Sequence, residues 1–144
     1  MTHEDAGHYA RKHGPDAVVD ELIRDTLLKR AVDGKLPCAV AFDVAKRLDV
    51  TPEAIGRTAD LVELRLVKCQ LGLFGYHHKK SIVRPSALVP ATLEEAIRNA
   101  LLNERLPCKK AWKIAKTFGI HKMKVSAACD TLGIRISPCQ LGAF

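Results

Sequence analysis

Residues 106–144 read LPCKKAWKIAKTFGIHKMKVSAACDTLGIRISPCQLGAF, and residues 36–74 read LPCAVAFDVAKRLDVTPEAIGRTADLVELRLVKCQLGLF. The two stretches align without a gap at a constant offset of 70, with 13 of 39 positions identical. The identities cluster at the two ends, in Leu36-Pro37-Cys38 against Leu106-Pro107-Cys108 and in Cys69 to Gly72 against Cys139 to Gly142. Between them lie conservative exchanges such as Val44 for Ile114 and Ile55 for Val125. Upstream, Ile23 and Leu27 keep phase with Leu93 and Ile97. A gapless match of this length points to two modules related by internal duplication.

Each copy reads as three helices followed by a strand. In the first, Pro15-Asp16 offers a helix start, and Val19, Leu22, Ile23, Leu27 and Ala31 give an apolar stripe at helical spacing that ends at Gly34. Pro37 suits the first turn of a second helix, whose buried face is Ala41, Phe42, Ala45 and Leu48. Thr51-Pro52-Glu53 reads as a cap and first turn for a third helix through Ile55, Ala59 and Val62. Leu64–Leu71 is rich in β-formers and predicts a strand. Gly72 to Lys80 then predicts a turn, and Ser81–Arg84 a returning strand. The second copy stops at Phe144 without a return strand, which predicts an open edge after Gln140. The expected organisation is a flexible tail over 1–14, a module over 15–85, a linker over 86–90 and a second module over 91–144.

The second and third helices of each copy resemble a helix-turn-helix. Ala115, Gly119, Ile120 and Val125 stand at that family's spacing, and Ala45, Asp49, Val50 and Ile55 occupy the same places in the first copy, with Asp in the turn. With the following hairpin, each module resembles a winged helix-turn-helix. The LPC and CQLG-x-F signature also resembles that of tandem winged-helix proteins of anaerobic prokaryotes. The resemblance implies a mainly α fold with small β-hairpins, and duplex DNA as the partner. It also implies that the third helix enters a major groove while the wing touches backbone. The two modules would pack about a pseudo-twofold axis as a monomer, or the chain would form a homodimer.

Charge separates the copies. The net charge of +7 is spread unevenly: residues 1–85 carry 14 basic and 12 acidic side chains, and residues 86–144 carry 9 and 4. Seven basic residues and no acidic one lie between Arg105 and Lys124. The expected DNA contacts are therefore Lys109, Lys110, Lys113, His121, Lys122, Lys124 and Ser126. Arg57 in the first copy, and Lys79 and Lys80 at the wing tip, join them. His121 is also placed to cap its helix, and His13 reads as a solvated tail residue. The competing reading is a winged-helix module that binds protein, through the near-neutral first copy or the C-terminal edge strand, and regulates an enzyme or complex.

The five cysteines include two repeated pairs, Cys38 with Cys69 and Cys108 with Cys139, each 31 residues apart. No C-x-x-C spacing occurs. One reading makes all five small buried apolar residues. The other makes the repeated pairs redox or metal groups, extending to an iron–sulfur cluster or a four-thiolate site, because Cys38 and Cys108 follow Pro at helix starts where the dipole favours thiolate. No phosphate-binding glycine loop, G-x-S-x-G or H-E-x-x-H is present, so no enzymatic activity is expected and no cofactor is required. No apolar run is long enough for a membrane span, and the polar start lacks the apolar core of a secretory signal, so a cytoplasmic location is expected.

Overall fold

A computed structural model describes residues 8–76 and 82–144. The chain divides into two compact units: residues up to Cys69 with Leu141–Ala143, and Gln70–Gln140 with Phe144. Half of the described residues are helical, and among them the strands form two two-stranded sheets.

In the first unit α1 spans Glu21–Arg30. It begins at Asp20, downstream of the expected Pro15-Asp16, because the Asp20 carboxylate accepts from the Ile23 N–H at 3.0 Å and so caps the first turn. Ile23 and Leu27 are buried, whereas Leu22 is exposed. Asp33 and Gly34 then both take left-handed backbone, φ 51° and 72°, closing a tight turn between Val32 and Lys35. That two-residue geometry matches the twist of the flanking chain. β1 (Lys35–Pro37) follows, then α2 (Cys38–Leu48), α3 (Pro52–Leu61) and β2 (Arg65–Val67). Asp49, at φ 52°, supplies the left-handed residue between the helices, and the Thr51 hydroxyl caps α3 by accepting from Ala54 N–H.

The second unit runs α4 (Ala91–Asn99), β3 (Arg105–Leu106), α5 (Cys108–Phe118), α6 (Lys122–Leu132) and β4 (Arg135–Ile136). Asn103 and Glu104 repeat the left-handed turn, and Gly119, at φ 65°, stands where Asp49 does. The buried sets also correspond: Leu27, Leu36, Ala41 and Ile55 in one unit, Ile97, Leu106, Ala111 and Val125 in the other, all fully enclosed. Each large member of these sets stabilises its unit by roughly 1.5–3 kcal/mol.

The sheets differ from the expected hairpins. β1 pairs parallel with β2, Leu36 opposite Leu66, and β3 pairs parallel with β4, Leu106 opposite Ile136. The two helices between the strands form the crossover that a parallel pair requires. The strand expected over 64–71 shortens because Glu63 and Lys68 take left-handed backbone, φ 57° and 52°, and break the extended run at both ends. Of the expected return strand, Ser81 lies outside the described residues and Ile82–Arg84 is not a strand. The Ile82 N–H instead donates to the Gly72 carbonyl at 3.0 Å.

The first described residues and the C-terminal ones are both packed against the first unit's helices or core. From His8 on, the stretch read as a tail lies against α3, with Tyr9 buried in a 3₁₀ turn (Tyr9–Lys12). The Glu63 carboxylate accepts from the N–H groups of Tyr9 and Ala10, at 2.9 and 3.0 Å. Lys12 and His13 both reach the buried Asp60 carboxylate, at 3.1 and 3.0 Å, so His13 is not a solvated residue. At the other end no open edge follows Gln140. Leu141 and Ala143 are buried and complete the first unit, and Lys12 Nζ donates to the Gly142 carbonyl at 2.9 Å. Phe144 belongs to the second unit, where its ring meets Phe74 edge to face at 5.7 Å. Residues 86–90, read as a linker, belong to the second unit too. No described helix is long and apolar enough to cross a membrane.

Candidate nucleic-acid interface

The basic cluster rests on α5 and the first turn of α6. Helical spacing puts Lys109, Lys113 and Lys116 on one face of α5, at i, i+4 and i+7, and all three are exposed. Their counterparts in α2 show why the units differ. Asp43, in the place of Lys113, is held by Arg30 at 2.9 Å and by Arg47 at 2.8 Å. Those two guanidiniums keep the Asp43 carboxyl below its ordinary range. Among the described residues, Lys109, Lys110, Lys113, Lys116 and Lys124 have no ion-pair partner. Charge that is neutralised in the first unit is thus left uncompensated in the second.

Trp112 shares the lysine face of α5 and ties it to α6. The Lys122 ammonium sits over its ring, 4.6 Å from the centroid. His121 occupies the cap position of α6 in extended backbone, but its side chain caps nothing, unlike Thr51 before α3. The first turn of α6 carries Lys122 and Lys124 and no acidic residue. Cations beside the positive end of a helix are unfavourable by a few tenths of a kcal/mol, and an anion there relieves the repulsion.

Most of the middle of α6 is turned away from solvent. Ser126, expected to contact DNA, is 2% exposed, and its hydroxyl has no hydrogen-bond partner among the described residues. It points inward because it shares the buried side of α6 with Val125 and Cys129. Part of the outward side, around Ala127 and Thr131, is crossed by the chain that precedes α4. The Ser86 N–H donates to the Ala127 carbonyl at 3.3 Å, and the Thr131 hydroxyl donates to the Ser86 carbonyl at 2.8 Å. Gly72 lies so close to Met123 that a Cβ on it would approach the sulfur to 3.3 Å. His121, Lys122, Met123 and Lys124 remain at the uncovered end.

Arg57 projects to solvent from α3, beside the exposed Glu53. Lys79 and Lys80, with the wing tip they were assigned to, lie outside the described residues. Trp112 is the member of the cluster that charge counting overlooked. Its signal was its place at i+4 from Cys108, between Lys109 and Lys116 on the same turn-to-turn stripe.

All five cysteine sulfurs are thiols. Four are buried and Cys139 is half-buried. Cys129 is fully enclosed in α6, and burial pushes its thiol pKa up to about 11. No group of three or more His, Cys, Asp or Glu side chains stands ready to hold a metal among the described residues, which removes the donor set that an iron–sulfur cluster or a tetrahedral zinc needs within them. Comparison with known protein families, curated proteins and solved structures finds no match.

Proposed function

We propose that this protein binds duplex DNA through the second unit, with α5 and the N-terminal end of α6 acting as a phosphate-gripping helix-turn-helix. The observation that carries the reading is the run of uncompensated ammonium groups on α5, continued by Lys122 and Lys124 on α6. Lysines on a helical face neutralise phosphates and release counterions, a term that is independent of sequence. Base reading is a smaller part of the design, because Ser126 is buried and Ala127 is overlain. The expected biological role is transcriptional regulation or DNA organisation, with backbone contacts supplying most of the affinity.

The test is fluorescence anisotropy on a labelled duplex at several salt concentrations. Binding that weakens steeply with salt, and a slope of log K against log salt that flattens by about 0.9 for each lysine contact removed, is the expected result. Absence of binding at low salt would overturn the reading. A protein-binding role for the first unit is a second reading, favoured by one observation. Val18, Leu22 and Val32 are 82%, 64% and 68% exposed there, large apolar groups that a partner could cover.

A further inference from the structure

The parallel strand pairs do something to the cysteines that their separation of 31 residues does not suggest. β3 leads directly into α5, whose first residue is Cys108, and the chain leaving β4 reaches Cys139 three residues later. Two backbone bonds hold these exits together: the Ser137 N–H donates to the Leu106 carbonyl at 2.9 Å, and the Cys108 N–H donates to the Pro138 carbonyl at 3.1 Å. Pro138 immediately precedes Cys139. With standard bond lengths, that second bond brings the Cα atoms of Cys108 and Cys139 within about 7 Å, the range a disulfide spans. The Gln140 side-chain amide donates to the Cys108 sulfur at 3.4 Å and so ties the segment carrying Cys139 to its partner.

We propose that Cys108 and Cys139 form a redox-active dithiol that closes to a disulfide when a peroxide reaches it. The half-buried Cys139 reacts first, being the more open of the pair. Its sulfur attacks one peroxide oxygen, an S–O bond forms as the O–O bond breaks, and the departing hydroxide takes the thiol proton as water. The Cys108 sulfur then attacks the Cys139 sulfur. The S–S bond forms, the S–O bond breaks, and the second hydroxide leaves as water with the Cys108 proton. The two thiols together lose two electrons and two protons, and one peroxide becomes two waters. Cys38 and Cys69 are set by the same register, Pro37 opposite Val67, but both are buried, so they form the slower pair. Cys129, enclosed and with its thiol held protonated by burial, stays out of the exchange.

Each of the five cysteines falls on its own tryptic peptide, so the pairing can be read directly. The reduced full chain is treated with hydrogen peroxide at neutral pH, remaining thiols are alkylated in denaturant, and the digest is analysed without reduction. The expected product is peptide 106–109 joined to 136–144, forming about tenfold faster than 36–46 joined to 69–79, since thiol oxidation follows access. Cys108→Ser should leave Cys139 as a sulfenic acid that a dimedone-type reagent traps, while Cys129→Ser should give the wild-type pattern. The wild-type time course stands by itself if the Cys108 variant fails to fold. Cys139 that accumulates sulfinic acid while Cys108 stays alkylatable, or that links to Cys139 of a second chain, would overturn the proposal.

Discussion

Gly56 and Leu141 meet main chain to main chain: a Cβ on Gly56 would overlap the carbonyl oxygen of Leu141. The absence of a side chain on α3 therefore makes room for Leu141, and Gly56 is 70 positions from the equally buried Ser126.

Gly56→Ala should destabilise the first unit by about 1–3 kcal/mol, the usual cost of overpacking, even though Ala is the better helix former. Removing residues 141–144 should also destabilise it, because the Leu141 side chain is enclosed and its loss leaves a cavity or wet surface. The two changes should be strongly non-additive, since the shortened chain no longer holds the oxygen that the new methyl strikes. Additive losses in denaturant titrations would show that the clash is not what makes Gly56 necessary.

Ser126→Ala should leave duplex affinity unchanged and raise stability by about 1 kcal/mol, because it removes a buried hydroxyl that has no partner among the described residues. Lys113→Glu with Lys116→Glu should weaken binding at low salt and flatten its salt dependence. A Ser126 variant that binds less tightly at wild-type stability would return the buried face of α6 to the interface.

Trp112 is the one tryptophan in the chain, and Lys122 lies over its ring. If a duplex draws the Lys122 ammonium onto a phosphate, the indole emission should change on titration with DNA. Lys122→Ala should abolish most of that change while costing no more than about 1 kcal/mol of stability, the worth of an exposed cation–π contact. A fluorescence response equal to wild type in the variant would detach Trp112 from binding.

Glu63→Ala should release the Tyr9 and Ala10 amide protons to exchange, since both are held by that one carboxylate. Exchange rates at α4, in the other unit, should not move. Unaltered protection at Tyr9 and Ala10 would mean that burial of the Tyr9 ring, not the carboxylate, holds this segment.

Two groups give pH dependences of opposite sense. The Cys129 thiol is raised from 9.0 to about 11, so its contribution is whole below pH 9 and is lost as pH climbs toward 11. Cys129→Ala should remove that alkaline slope. The Asp43 carboxyl is lowered from 3.8 by Arg30 and Arg47, so its contribution is present above that value and fades as acid protonates it. Asp43→Asn should blunt the acid limb alone, measured by thermal melts across pH.

The helices were legible because their signals are local. Pro37 and Thr51 stand at real helix starts, and Asp49 takes the left-handed turn that Gly119 takes in the other unit. The sheets were not legible. Gly72 and the residues after it read as a hairpin, whereas Lys68 turns the chain out of the strand first and β1 supplies the partner from across two helices. Ser126 departs from the expectation because a polar residue on a helix reads as exposed, although the apolar Val125 and Cys129 beside it mark that face as the buried one. The partners of Tyr9 and Leu141 lie 54 and 85 positions away, beyond any periodicity. The lysine cluster, a matter of composition, was visible from the start, while its tie to Trp112 needed the turn between α5 and α6.

The place of Leu141–Ala143 also bears on how the chain is made. The first unit takes these residues from beyond Gln140, after all of the second unit but Phe144. Vectorial synthesis therefore delivers the first unit's helices early and its closing segment late. Until then, the backbone of Gly56 stands uncovered on the nascent protein, and the unit begun first waits for residues made after nearly all of the second.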